Sequence, residues 1–287
     1  MSPTKQKTYL NLGCGHTYDS GWRNLDINPV GTDVEKWEAQ LGIPASTGSV
    51  DAVYHSHLLE HLSQLDGETL LQECFRVLKP KGILRIAVPD LEQICHEYLK
   101  ALSRVDQNQE DAHLDAYWMR LELTDQMTRD RSGGQMLDFL RSKPSNKSFI
   151  IERCGEQVRP LLGVEDGDAN SSHKSESLPL HLHFKQILKK CTNISTIKNF
   201  LNKIFLNASD YTALQYGRFY FSGELHKHMY DRVSLEELLL EIGFTQVTAK
   251  SHTSSQIPNW ASYCLDITKN NRPRKPDSLY IETIKPK

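Results

Sequence analysis

In the first hundred residues the apolar positions switch between two rhythms. Tyr9, Leu10 and Leu12 form a short apolar run that ends in a Gly-x-Gly turn at Gly13 and Gly15, and a second short run closes on Asp26. Residues 51–54 (DAVY) and 83–88 (ILRIAV) read as buried strands, the latter ended by Pro89-Asp90. Between them, 66–78 place Leu70, Leu71, Cys74, Phe75 and Leu78 on one helical face, stopped by Pro80 and Gly82. Alternating strand and helix signals predict a parallel α/β sheet.

From about 100 to 220 the periodicity weakens. Helices are expected over 91–102, 112–128, 134–142 and 185–206, with a polar, mobile stretch at 165–179. Regular structure returns near the end. Ser234 and Glu237 have capping-box spacing, Leu235, Leu238, Leu239 and Ile242 line one face, and Gly243 stands at the C-cap. Residues 244–251 and 278–284 then read as two strands able to pair antiparallel. The two ends of the chain therefore build one core, 1–100 with 223–287, around a helical insertion over 101–222.

Composition narrows the class. The chain has 287 residues, 38% hydrophobic and 24% charged, with a net charge of −2. That balance gives no electrostatic footprint for nucleic acid or an anionic membrane. No apolar run suffices for a membrane span, and "MSPTKQKTYLNL" has no signal-peptide core, so the expected location is cytoplasmic. The six cysteines (Cys14, Cys74, Cys95, Cys154, Cys191 and Cys264) are scattered and read as reduced thiols.

The opening stretch poses the chemical question. In dinucleotide-binding units the acidic residue follows the glycines by about 20 positions, because a crossover helix intervenes. Here Gly15 and Asp26 are 11 apart. A Gly-x-Gly alone is as often a plain turn, and Asp26 alone could be a turn aspartate before Asn28-Pro29. The order of parts is more specific. "LNLGCG", "NLDINP", "SVDAVYHSHLLEHL" and "RVLKPKGILRIAVPD" together resemble the class I S-adenosylmethionine-dependent methyltransferases, and among them the broad bacterial family acting on small molecules and glycan intermediates (methyltransferase type 11-like). The resemblance spans 8–92 closely and 226–284 more loosely. Lys81 stands where that family usually has a second glycine, a departure that lies in a turn and is expected to cost little function.

The resemblance implies a Rossmann-like, doubly wound sheet of about seven strands, mostly parallel with the last antiparallel, and a first helix cut to a turn or two. It implies S-adenosyl-L-methionine as the cofactor. That molecule has no phosphate to cradle, so close backbone approach at Gly13 and Gly15 suffices. By the same resemblance Asn11, Cys14, Ile27, His55 and His57 complete the cofactor site, with Asp26 on the ribose hydroxyls and Glu38 near the adenine. Methyl transfer is an in-line displacement that needs alignment and, for a hydroxyl acceptor, a base, so His57, His226 and His228 are the catalytic candidates. Arg129, Arg131, Tyr220 and Tyr230 are candidate acceptor contacts, the arginines favouring an anionic acceptor such as a nucleotide-linked sugar. The implied acceptor is a small molecule of natural-product or surface-polysaccharide biosynthesis, methylated on oxygen, and the enzyme a monomer or homodimer. Rival readings are a cofactor-binding protein without chemistry and a nicotinamide dehydrogenase, the latter opposed by the short crossover. His57, Glu60 and His61 also spell His-x-x-Glu-His, a metalloprotease pattern that needs a long helix. Some methyltransferases hold a divalent ion with Glu-x-x-Glu-His here. His57 replaces the first carboxylate, and no metal site is assigned.

Overall fold

The computed structural model describes residues 7–164, 202 and 204–287. Seven strands form one sheet: β1 (Tyr9–Leu12), β2 (Arg23–Asp26), β3 (Val34–Lys36), β4 (Val50–Ser56), β5 (Leu78–Pro89), β6 (Thr245–Lys250) and β7 (Ser278–Ile284). Their order is β3-β2-β1-β4-β5-β7-β6. The first five are mutually parallel, and β7 runs antiparallel to both neighbours. The seven-stranded Rossmann-like sheet with its last strand reversed is thus as expected.

Side-chain alternation divides the sheet into two faces. Leu10, Leu12, Val53, Leu84, Ile86 and Ile281 lie in one cluster with α1 (Gln64–Val77) and α7 (Arg232–Ile242). Ser63 caps α1 by accepting from the Asp66 backbone N–H. The start of α7 differs from the sequence reading. Asp231, not Ser234, is the N-cap, and Ser234 takes the third helical position of a reciprocal capping box. Aspartate is the better acceptor for two N–H groups, so the box sits three residues earlier than Ser234-x-x-Glu237 suggests.

The opposite face is covered differently. Tyr9, Ala52 and Tyr54 are covered by the β6–β7 connection, which contributes Ile257, Trp260 and Leu265. Arg85 in mid-β5 anchors that connection and is fully buried. Its Nε donates to Asp266 (2.8 Å), its Nη1 to Glu282 and the Ser254 carbonyl (both 2.9 Å), and its Nη2 to the Ser251 carbonyl (2.9 Å). The guanidinium also lies 4.6 Å from the Trp260 ring centre.

Parallel neighbours normally need a crossover helix, yet 13–22 joins β1 to β2 by turns alone. Two buried asparagines satisfy the loop's carbonyls instead. Asn11 Nδ2 donates to the Thr17 carbonyl, and Asn24 Nδ2 to those of Trp22 and Asp19. The expected remnant of a first helix is therefore absent.

The region after β5 forms α2 (Leu91–Asp106), α3 (Ala112–Thr128), α4 (Gly134–Arg141), α5 (Lys147–Cys154) and α6 (Ala208–Tyr220). Ile94, Trp118, Met119, Leu140 and Ile150 make a second apolar cluster separate from the sheet. The expected helix over 185–206, the stretch 165–179 and Cys191 lie outside the described residues, apart from the end of that helix. Among those described, Cys14, Cys74, Cys95, Cys154 and Cys264 are free thiols.

Lys81 is held at φ +65° while its N–H donates to the Lys285 carbonyl at 2.8 Å. A left-handed conformation costs an L-residue about 1–2 kcal/mol, so this departure from glycine is not free. Lys81→Gly is expected to raise stability by about 1 kcal/mol in urea denaturation, after the entropy glycine adds to the unfolded chain.

Candidate functional site

The C-terminal ends of β1 and β4 open into a cavity of about 370 Å³. That is the end of an open α/β sheet where ligands bind. On one side stands the glycine turn. Gly13 (φ +61°) and Gly15 (φ +52°) adopt conformations that side chains resist. A Cβ on Gly13 would meet Leu58 Cδ1 at 3.0 Å. Asp26, at the tip of β2, holds the turn: its Oδ2 accepts from the Gly15 N–H and its Oδ1 from the Asn28 N–H, both at 2.8 Å.

Of the residues expected at the cofactor, Asn11, Gly13, Cys14, Gly15 and His57 line this cavity. Asp26 adjoins it through the turn without lining it. Each of its oxygens keeps a free lone pair, because an ionised carboxylate offers about four. Ile27 is half exposed on the same strand end, and Glu38 precedes the short turn 39–41. His55 points to the helical face, fully buried, and neither ring nitrogen has a hydrogen bond.

The far wall comes from a part of the sequence with no recognisable signal. Leu265, Asp266, Arg274 and Lys275, all from the β6–β7 connection, line the cavity beside Tyr54, Ser56 and Tyr280. Lys275 is buried enough to lower its pKa. Trp22, at the end of the loop that joins β1 to β2, turns inward, and its ring lies 4.9 Å from that of Tyr9.

His57 is the most strained of the cavity residues, at φ +51° just past β4. Strain at a non-glycine residue collects at functional positions. Its Nε2 is 2.8 Å from Ser278 Oγ and its Nδ1 3.1 Å from Glu60 Oε1. Glu60 lies in the turn Leu59–His61, fully buried. Burial alone would raise its pKa, but the charges of His57, His61 and His226 outweigh this and hold it at about 2. The segment 225–228 packs on this turn: the Lys227 N–H donates to the Glu60 carbonyl at 2.7 Å, and the His61 and His226 rings meet edge to face at 4.8 Å.

The remaining candidates are placed elsewhere. His226 sits behind Glu60 and off the cavity wall, and His228 packs 4.6 Å from the ring of Tyr230. Tyr230 is buried under α1, where its hydroxyl would meet a Cβ on Gly67. Arg129 faces Asp125 at 3.5 Å, and Arg131 pairs with Asp130 and Asp138. The Tyr220 ring meets that of Phe221 edge to face at the end of α6.

His55 makes the site's support sensitive to acid. Burial lowers its pKa to about 4, whereas in the unfolded chain it titrates near 6.5. The unfolded state therefore binds more protons between those values. The stability is complete above pH 6.5, falls as the pH drops, and is lost below about 4. At pH 5 this one group is expected to cost about 2 kcal/mol. Thermal melts between pH 7.5 and 5 test it, with a smaller decline expected in His55→Leu.

Residues 10–86 match the family model described as a methyltransferase domain. No curated protein matches the chain. Among solved structures, a methyltransferase in complex with the Haloferax volcanii Trm112 methyltransferase activator is similar at 11% identity, with 99% of this chain and 84% of that chain covered and a TM-score of 0.39. A SAM-dependent methyltransferase from Archaeoglobus fulgidus is similar at 12% identity, covering 97% and 86%, with a TM-score of 0.37. The Haemonchus contortus phosphoethanolamine N-methyltransferase 2, in complex with S-adenosyl-L-methionine, is similar at 11% identity, covering 100% and 50%, with a TM-score of 0.35. Likeness at this level says nothing of substrate.

Proposed function

From residues 10–86 as a class I S-adenosylmethionine-dependent methyltransferase domain, we propose that the chain methylates an oxygen of a small-molecule or glycan-intermediate acceptor. The observation that carries the reading is the junction at the strand ends. Two left-handed glycines are tied to the Asp26 carboxylate and border a cavity that also holds His57.

The residues fit the cofactor. The ribose hydroxyls would take the remaining lone pairs of Asp26, Ile27 would offer an apolar surface beside the adenine, and the glycine turn would admit the methionyl chain. The cationic side chain of Lys275 suits its carboxylate. When bound, the cofactor supplies a sulfonium methyl with a good leaving group, S-adenosylhomocysteine. The protein has to align the acceptor oxygen, exclude water and take the acceptor's proton. His57 is the group for the last task. It lines the cavity, the Glu60 carboxylate 3.1 Å from Nδ1 would stabilise the charged ring by attraction, and Nε2 exchanges its contact with Ser278 for the acceptor hydroxyl. Arg129 and Arg131 already face carboxylates of the chain, which weakens the case for an anionic acceptor. No helix among the described residues is long and apolar enough to cross a membrane.

Calorimetric titration with S-adenosylhomocysteine, followed by transfer of a labelled methyl group into a panel of hydroxylated small molecules and nucleotide-linked sugars, tests the reading. Saturable binding with label in a hydroxyl ether is expected. Absence of binding would sink the whole assignment, and binding without transfer to any acceptor would leave a cofactor-binding protein.

A further inference from the structure

Glu60 and His61 acquire a third partner that no sequence spacing announces. A Glu60 carboxylate oxygen and one ring nitrogen each of His61 and His226 lie within 4.8 Å of one another. Glu60 is fully buried and His226 only 5% exposed. Neither Glu60 oxygen has a hydrogen bond, nor does His226 Nδ1. His57 Nδ1, 3.1 Å from Glu60 Oε1, is near enough for charge attraction but is not aligned as a donor. A buried carboxylate with no directed donor is costly, and native folds retain one where something else satisfies it.

The tautomers point the same way. His61 Nδ1 is 3.3 Å from the Leu225 carbonyl, which can only accept. The ring proton is therefore on Nδ1, and Nε2 carries the lone pair. A ligating histidine commonly has its outer N–H fixed by a carbonyl in this way.

We propose that Glu60, His61 and His226 bind one first-row divalent transition-metal ion, of the zinc, cobalt or ferrous class, beside the cavity. Two imidazoles with a single carboxylate favour such ions over magnesium or calcium, which prefer all-oxygen shells. Zinc–ligand bonds near 2.1 Å put donors roughly 3.4 Å apart, so the side chains close on the ion by moving inward about 1 Å. The set does not use position 57, and it recruits a histidine from the far side of the insertion. Three protein ligands leave a coordination position open. The competing cation is Lys275, whose charge also acts on Glu60.

The test uses the full chain after treatment with a chelator, titrated with Co2+ and followed by its visible absorption, with Zn2+ as competitor. One equivalent is expected to bind with the bands of a nitrogen–oxygen site and to be displaced by Zn2+. Glu60→Gln and His226→Asn are expected to weaken binding at least ~100-fold, while His113→Asn, on the exposed side of α3, leaves it unchanged. Circular dichroism checks that each variant folds. No saturable binding to the wild-type chain overturns the site and leaves Lys275 as the counter-charge. Unchanged affinity in a folded variant also overturns it. Should the variants not fold, the wild-type titration and its spectrum decide alone. Because metal binding is read directly, a failed methyl-transfer assay does not bear on it.

Discussion

Replacing Arg85 with methionine is expected to destabilise the protein by about 3–5 kcal/mol, the cost of stranding buried charges. All five guanidinium N–H directions are used, toward Asp266, Glu282 and the carbonyls of Ser251 and Ser254. The two carboxylates it faces are themselves buried, at 3% and 0% exposure. Burial already raises the pKa of Asp266, against the pull of Arg85 and of the Tyr54 hydroxyl. Without the arginine, Asp266 must take up a proton or admit water, Glu282 is left buried without its partner, and the β6–β7 connection loses its anchor. Urea denaturation measures the loss, and a steeper pH dependence below neutrality should accompany it. The triple replacement Arg85→Met, Asp266→Leu, Glu282→Met should recover much of the stability, because apolar groups of similar volume can stand in for a buried ion network. A loss in Arg85→Met below about 1 kcal/mol would mean that the carboxylates are solvated rather than stranded.

The second large effect falls on ligand binding. Asp26→Ala is expected to weaken S-adenosylhomocysteine about 100-fold, with the fold retained. The carboxylate fixes the Gly15 and Asn28 N–H groups at 2.8 Å and offers its remaining lone pairs to a ribose. Hydrogen bonds to a charged group contribute about 1.5–3 kcal/mol each, and about 2.7 kcal/mol corresponds to two decades in Kd. Asp26→Asn should fall between, since its amide nitrogen confronts one of the two N–H donors and cannot accept from it. Calorimetry gives the affinities, and circular dichroism checks the fold. An alanine variant within about threefold of wild type would place the ribose elsewhere and reduce Asp26 to a brace for the glycine turn.

Much of the sheet was legible because it is built by apolar alternation. Strands β1, β2, β4 and β5, with helices α1 and α7, bury regular stripes of Leu, Val and Ile, and a stripe needs no partner to be seen. Helix α6 was missed because it has no buried residue, hence no stripe. The cover on the second face was missed for a different reason. It is held by polar pairs, and nothing in "ILRIAV" tells that Arg85 points inward to two carboxylates nearly two hundred residues downstream. The site divides in the same way. Gly13, Gly15 and Asp26 could be read because a backbone conformation and a strand end demand them. Asp266, Arg274 and Lys275 could not, because only the folded β6–β7 connection brings them to the cavity. The placement of His226 against Glu60 likewise depends on how 225–228 docks.

The strand order carries a consequence for how the chain is made. Strand β7 lies between β5 and β6, so the outer edge of β5 finds its partner only when the last strand emerges. About 190 residues separate the end of β5 from Ser278, and at ~5–20 residues per second their translation takes ~10–40 s. Throughout that interval the nascent chain presents the backbone edge of a long apolar strand, a template for pairing with other chains. Holding that edge apart until the C-terminus arrives falls to the helical insertion or to a chaperone. Yield in the cell is then governed by the rate of synthesis as much as by the stability of the finished fold.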